Sequence, residues 1–145
     1  MRLSSLADYA VVMMAAAARH PAEMRLSATT LAMETGVPLP TAQKLVGRLA
    51  GAGLLATSRG SGGGFALSRR PAAINLADIV EAVEGPIALT SCVDDTRHDC
   101  ALEGSCKVKP HWGVVNAALR DAFAGVTLDR LAQVSTAQVN EEVMA

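Results

Sequence analysis

The chain has 145 residues, half of them hydrophobic, 3% aromatic and 19% charged, a content that fits one domain, or one small domain with a satellite. Its longest strongly apolar run, Ala10–Ala18, has nine residues, far short of the ~20 that span a bilayer, so a buried helix in a cytoplasmic protein is expected rather than a membrane span. The formal charge of −1 conceals a division, because residues 1–70 carry eight Lys/Arg against three Asp/Glu while residues 71–145 carry five against eleven; the basic half is placed to meet a polyanion.

Leu6, Tyr9, Ala10, Met13, Met14 and Ala17 recur at helical spacing and predict a first helix over residues 4–20. His20-Pro21 ends it, since the residue before proline is pushed out of the helical region. A short second helix is predicted over 27–35, with Ser27 as N-cap and Thr35-Gly36 as stop. A third is predicted over 39–51, with Pro40 in the first turn, where its missing N–H costs nothing. Helix, short turn, helix is the helix-turn-helix arrangement. In the third helix Ala42, Leu45, Val46 and Leu49 form the apolar stripe. Thr41, Lys44 and Arg48 lie opposite, flanked by Gln43, and such groups hydrogen-bond base edges or phosphates in a major groove.

Leu54–Thr57 and Phe65–Ser68 read as two short strands around Ser58–Gly64, SRGSGGG. A glycine-rich hairpin directly after a helix-turn-helix is a wing, and Arg59 at its tip is placed to enter a minor groove. A phosphate-cradling loop does not fit, because no Gly-Lys-Ser/Thr follows and the loop runs into a strand rather than a helix. Asn75 caps a fourth predicted helix, 75–84, with Leu76, Ile79, Val80 and Val83 as its apolar stripe and Gly85-Pro86 as its end.

A long amphipathic helix is predicted from Pro110, with Trp112, Val115, Leu119, Ala122 or Phe123, and Val126 recurring every three to four residues. So wide a stripe on so small a chain calls for a partner surface. A symmetric homodimer provides one, with paired winged domains reading two half-sites of double-stranded DNA. A last short helix is predicted over Thr127–Val134, with fraying beyond it.

All three cysteines, Cys92, Cys100 and Cys106, precede the long helix in a C-x7-C-x5-C array. Their odd number and the lack of a signal peptide argue against a structural disulfide. Zinc sites favour C-x2–4-C pairs, whereas iron–sulfur clusters accept wider loops of thiolates. Three thiolates leave a fourth ligand to be found: His111, His98 inside the loop, or Asp8 if a partner subunit brings the first helix close. By spacing alone, a thiol redox switch and three non-ligating cysteines stay open. No acid/base pair, nucleophile triad or nucleotide loop points to an enzyme.

The opening MRLSSLADYAV, the wing RGSGGGFALSR, the segment INLADIVEAVEGP and three cysteines in one loop together resemble the iron–sulfur-dependent winged-helix regulators. That family includes the Isc-operon regulator, the nitric-oxide-sensing repressor and the rhizobial iron regulator. The run EGPIALTSC and the later KPHW look most like its Suf-system cluster-assembly branch, and the similarity covers nearly the whole chain. The resemblance implies a homodimer with the cluster near the dimer helix, Cys92, Cys100 and Cys106 as its ligands, and Thr41, Gln43, Lys44 and Arg59 turned toward DNA. Lys109 departs from the pattern, because the Isc-type regulator has a histidine three residues after its last cysteine. Asp8 falls where the nitric-oxide sensor donates an aspartate across the dimer, and the cysteine spacing is like the iron regulator's; both imply a 4Fe–4S rather than a 2Fe–2S cluster.

The expected fold is mainly α with a small β-wing: a winged helix-turn-helix domain over 1–84, a cluster-binding loop over 85–109, and a long dimerisation helix with a C-terminal helix over 110–145. The expected function is non-enzymatic repression of iron–sulfur cluster assembly genes under control of iron or redox status. The alternatives are a nitric-oxide- or iron-availability-sensing repressor of the same family, and a zinc- or thiol-based adaptor.

Overall fold

The computed structural model describes residues 1–60, 62–94, 97 and 99–133. The expected end of the last helix at Val134, the fraying beyond it, and His98 lie outside these residues. The helices are α1 Ser5–Ala18, α2 Ala28–Thr35, α3 Leu39–Gly51, α4 Leu76–Glu84, α5 Lys109–Ala124 and α6 Leu128–Ala132, and the strands are β1 Leu55–Ser58 and β2 Gly64–Leu67.

Local chemistry sets most helix ends. Ser4 accepts the Ala7 N–H at 3.1 Å and starts α1, and Asp8 in its first turn complements the positive end of the helix dipole. Ser27 accepts the Thr30 N–H at 3.1 Å and starts α2. Gly36, at φ +82°, ends it in the left-handed conformation that glycine adopts without a Cβ penalty. Pro38 precedes α3, and Pro40 sits in its first turn. Asn75 and Asp78 form a reciprocal capping box at the start of α4.

Helix α1 is the centre of the core. Ala7, Ala10, Met13, Met14, Ala15, Ala16 and Ala17 are buried along it, packed by α2, α3, α4 and α6. The alanines keep its waist narrow enough for neighbours on several sides. Ala42, Leu45 and Leu49 of α3 are fully buried against this core, while Val46, placed in the stripe by periodicity, lies half-exposed at its edge.

The wing pairs antiparallel, Leu55 opposite Leu67 and Ser58 opposite Gly64, one residue away from the expected strand limits. A local and a distant contact accompany the shift. Leu54 donates its N–H to Leu49 at 2.9 Å and so still belongs to the exit of α3. At the other strand, Leu26 exchanges two 2.8 Å backbone bonds with Phe65, widening the hairpin to a third edge. A Cβ on Gly64 would stand 2.5 Å from the Leu26 carbonyl, and its φ is +136°, so only glycine fits there.

A second short bridge joins Asn75 to Thr127. Leu76 N–H donates to Val126 at 2.9 Å and Leu128 N–H to Ile74 at 2.8 Å, and Ile74 and Leu128 are fully buried. After α5 the chain therefore returns to the winged unit, where α6 packs on α1 and Arg19 donates to the Ala132 carbonyl at 2.9 Å. Helix α5 itself buries no described side chain, and Trp112, Val114 and Val115 are 37%, 71% and 46% exposed.

Replacing Asn75 by Ala leaves the Asp78 N–H without its cap and is expected to lower stability by about 1 kcal/mol. The midpoint of urea or thermal unfolding measures it, and an unchanged midpoint would show that the capping box contributes nothing.

Candidate DNA-binding face and cysteine centre

Helix α3 turns Ala42, Leu45 and Leu49 inward, which leaves Gln43 and Lys44 on its exposed face and Thr41 half-buried at the flank. Arg48 is also exposed, but its Nη1 donates to the Val83 carbonyl at 2.9 Å. That carbonyl belongs to the last turn of α4, whose carbonyls have no partner within the helix. Arg48 thus caps α4 with one donor and keeps others of its five for a second partner. Arg59 is exposed at the start of the wing loop. The loop turns tightly there: Gly63 N–H donates to Gly60 at 2.9 Å, and a Cβ on Gly63 would stand 2.7 Å from both the Gly60 and Ser58 carbonyls. Arg25 is a cation that the sequence pattern does not single out. It is exposed beside the base of the wing, because Leu26 pairs with Phe65. No local signal reports that pairing.

The cysteine segment lies between α4 and α5. All three thiols are free; Cys92 and Cys106 are half-buried and Cys100 is exposed. Cys92 sits in the 3-10 turn Ser91–Val93, its Sγ 3.0 Å from the Thr90 hydroxyl. The Asp99 carboxyl is held below its ordinary value, first by a hydrogen bond from Ser91 and then by the Arg97 guanidinium. Lys109 donates to Glu103 at 2.9 Å, and this bond, aided by the charges of Glu103, Cys92 and Cys100, raises its pKa above the ordinary lysine range.

Lys109 is therefore held as an ammonium by Glu103, on the same segment as the cysteines. In that form it has no lone pair with which to ligate a metal. Among the described residues no group of three His, Cys, Asp or Glu side chains is close enough to hold a metal ion. Asp8 is exposed in the first turn of α1 and His111 is exposed at the start of α5, and within one chain neither completes such a group. The donor set matches an iron–sulfur site in kind: three free thiols on one loop, with a nearby cation to offset thiolate charge. The fold of a single chain does not bring the three together.

A polar clasp ties this loop to the helices. Asn116 of α5 accepts the Leu89 N–H at 2.9 Å and donates to the Ile87 carbonyl at 2.8 Å. Ile87 N–H donates to Glu81 of α4 at 3.2 Å, and Glu81 also pairs with Arg120 of α5 at 2.8 Å. Residues 87–89 are thus held between α4 and α5, and α4 is held to α3 by Arg48. Asn116, Glu81 and Arg120 have no distinguishing sequence signal, since each looks like an ordinary polar residue on a solvated helix face.

A helix-turn-helix with a glycine wing and exposed cations on both defines a DNA-binding protein of the winged-helix class. Residues 3–134 match the Rrf2 family, iron-dependent transcriptional regulators, and the chain belongs to that family. It is 30% identical over 131 residues to the HTH-type transcriptional regulator IscR of Pectobacterium atrosepticum, across 90% of this chain and 79% of that protein. It is 29% identical to IscR of Vibrio cholerae, across 90% and 75% respectively. Among solved structures, CymR (YrzC), the global cysteine regulator of B. subtilis, superposes with a TM-score of 0.69 at 26% identity, covering 91% of this chain and 96% of that one. T. potens IscR superposes with a TM-score of 0.66 at 25% identity, covering 100% and 92%. The chain is accordingly a transcription regulator, not an enzyme, and the expected mainly helical fold with a β-wing is the one observed. No helix among the described residues is long and apolar enough to cross a membrane.

The Asp99 link has a definite pH sense. A carboxyl with a lowered folded-state pKa stabilises the fold above its ordinary titration range, and that contribution is lost as pH falls through the lowered value. Side-chain NMR should show Asp99 titrating below free aspartate, and Ser91→Ala should move its midpoint upward. An unmoved midpoint would remove Ser91 as the principal cause.

Proposed function

We propose that this protein is a homodimeric, DNA-binding repressor of iron–sulfur cluster assembly genes that reports iron or redox status through a cluster on the 85–109 loop. The observation that carries the reading is the placement of three free cysteines on a loop clasped to the recognition unit, in a chain of the Rrf2 family with IscR relatives. Cys92, Cys100 and Cys106 would hold the cluster, with a fourth ligand from His111 or from Asp8 of a second copy, and a 4Fe–4S form is favoured over 2Fe–2S. When bound, such a cluster supplies iron and sulfide open to attack by oxygen or nitric oxide.

The residues of the chain divide the remaining work. Thr41, Gln43, Lys44 and Arg48 of α3 meet the major groove, and Arg59 of the wing meets the minor groove. The winged domain spans 1–84, and the dimerisation helix lies in 110–145. A dimer is supported by the absence of buried side chains on α5 and by the exposure of Trp112, Val114 and Val115, apolar area that a second copy would cover. A cytoplasmic location goes with this reading. The clasp from residues 87–89 through Glu81 and α4 to Arg48 gives the loop a physical route to α3.

A second reading follows from Cys100, which is exposed and free. It is a regulator that acts through its thiols without metal, and the accessibility of the Cys100 thiol supports it.

Anaerobic purification with visible absorption and iron and sulfide analysis separates the two. The first reading expects a coloured protein whose affinity for DNA changes on exposure to air; a colourless protein with oxygen-indifferent affinity would exclude it. Cys100→Ala should abolish or weaken the cluster, and a normal cluster in that variant would remove Cys100 as a ligand. Arg59→Ala should leave cluster content unchanged, weaken promoter binding and reduce the salt slope by about 1. Equal affinity and slope would take the wing out of the interface.

A further inference from the structure

Glycine is the poorest helix former after proline, yet Gly47 lies well inside α3, which runs from Leu39 to Gly51. Nothing in the fold requires it. Gly47 is absent from the glycines with positive φ, and a Cβ built on it meets no atom within 4 Å. Two wing glycines behave oppositely: a Cβ on Gly63 or Gly64 would collide with backbone carbonyls at 2.7 and 2.5 Å. Gly47 is exposed and lies three and four residues beyond Lys44 and Gln43, hence on the same face of the helix. The next side chain, Arg48, is drawn toward α4 by its bond to the Val83 carbonyl. The exposed face of α3 thus carries a gap one side chain wide, directly beside its two polar groups.

We infer that Gly47 is a specificity-determining position of the DNA interface: its missing side chain lets α3 seat deeper in the major groove, where Gln43 and Lys44 reach base edges. The inference rests on the DNA-reading role proposed for α3. Phosphate contacts position a protein on any duplex, whereas base contacts require close approach of the helix. A methyl group at this position therefore penalises the second kind of contact more than the first.

The test compares the full-length wild type with Gly47→Ala in the same cluster state. The probes are a duplex enriched on the wild type from a pool with a randomised centre, and the unselected pool at low salt. Alanine should raise the melting temperature by about 2–8 °C. It should weaken binding to the enriched duplex by about tenfold or more, and leave binding to the unselected pool within about twofold. Unchanged affinity for the enriched duplex would overturn the role of Gly47 while leaving the DNA-reading role of α3 intact. A fall in melting temperature would also overturn it, because the glycine would then serve the fold. If the wild type enriches no sequence and does not bind the pool, the DNA-reading role fails and this inference fails with it.

Discussion

The burial of α1 is the constraint on which the rest of the structure depends. One helix is packed by α2, α3, α4 and α6, and it accepts them because most of its buried side chains are alanine, with Met13 and Met14 filling the irregular space between. A bulkier helix would push those neighbours apart. Because α1 is narrow, the helix-turn-helix, the helix that precedes the cysteines and the helix that follows α5 all rest on the same surface. The relative position of DNA-facing and cysteine-bearing elements is therefore set by a few small residues remote from both.

Two backbone bridges then lock the layout. Leu26 and Phe65 join the entry to α2 with the wing, at the one place where Gly64 permits the approach. Asn75 and Thr127 join the entry to α4 with the return from α5. The first fixes where the wing stands relative to α3. The second holds α5 by its end, leaving its sides open. Helix α5 consequently leans on the winged unit through polar contacts, Asn116 to residues 87–89 and Arg120 to Glu81, rather than through a packed apolar seam. Contacts of that kind shift at lower cost than a core does.

At the cysteine centre the decisive group is Lys109. Held cationic by its bond to Glu103, it ties the segment before α5 to the start of that helix and has no lone pair for ligation. Arg48, which its helical position alone assigns to DNA, also caps α4 and so belongs to the connection between the loop and the recognition helix.

The amino-acid sequence by itself determined what depends on near neighbours. Ser27, Gly36 and Asn75 mark helix ends within a residue, because caps and left-handed stops act over three or four positions. The wing and the apolar stripe of α3 are equally local, and they sufficed for the winged-helix class. Only the tertiary structure decided what depends on residues far apart in the chain. The pairing of Leu26 with Phe65 at the base of the wing is of this kind. The return of α6 to α1, the capping of α4 by Arg48 and the clasp at Asn116 join segments with no shared periodicity. Hydrogen bonds between distant backbone groups leave no trace in composition or spacing, which is why the same sequence that announces its helices is silent about what holds them to one another.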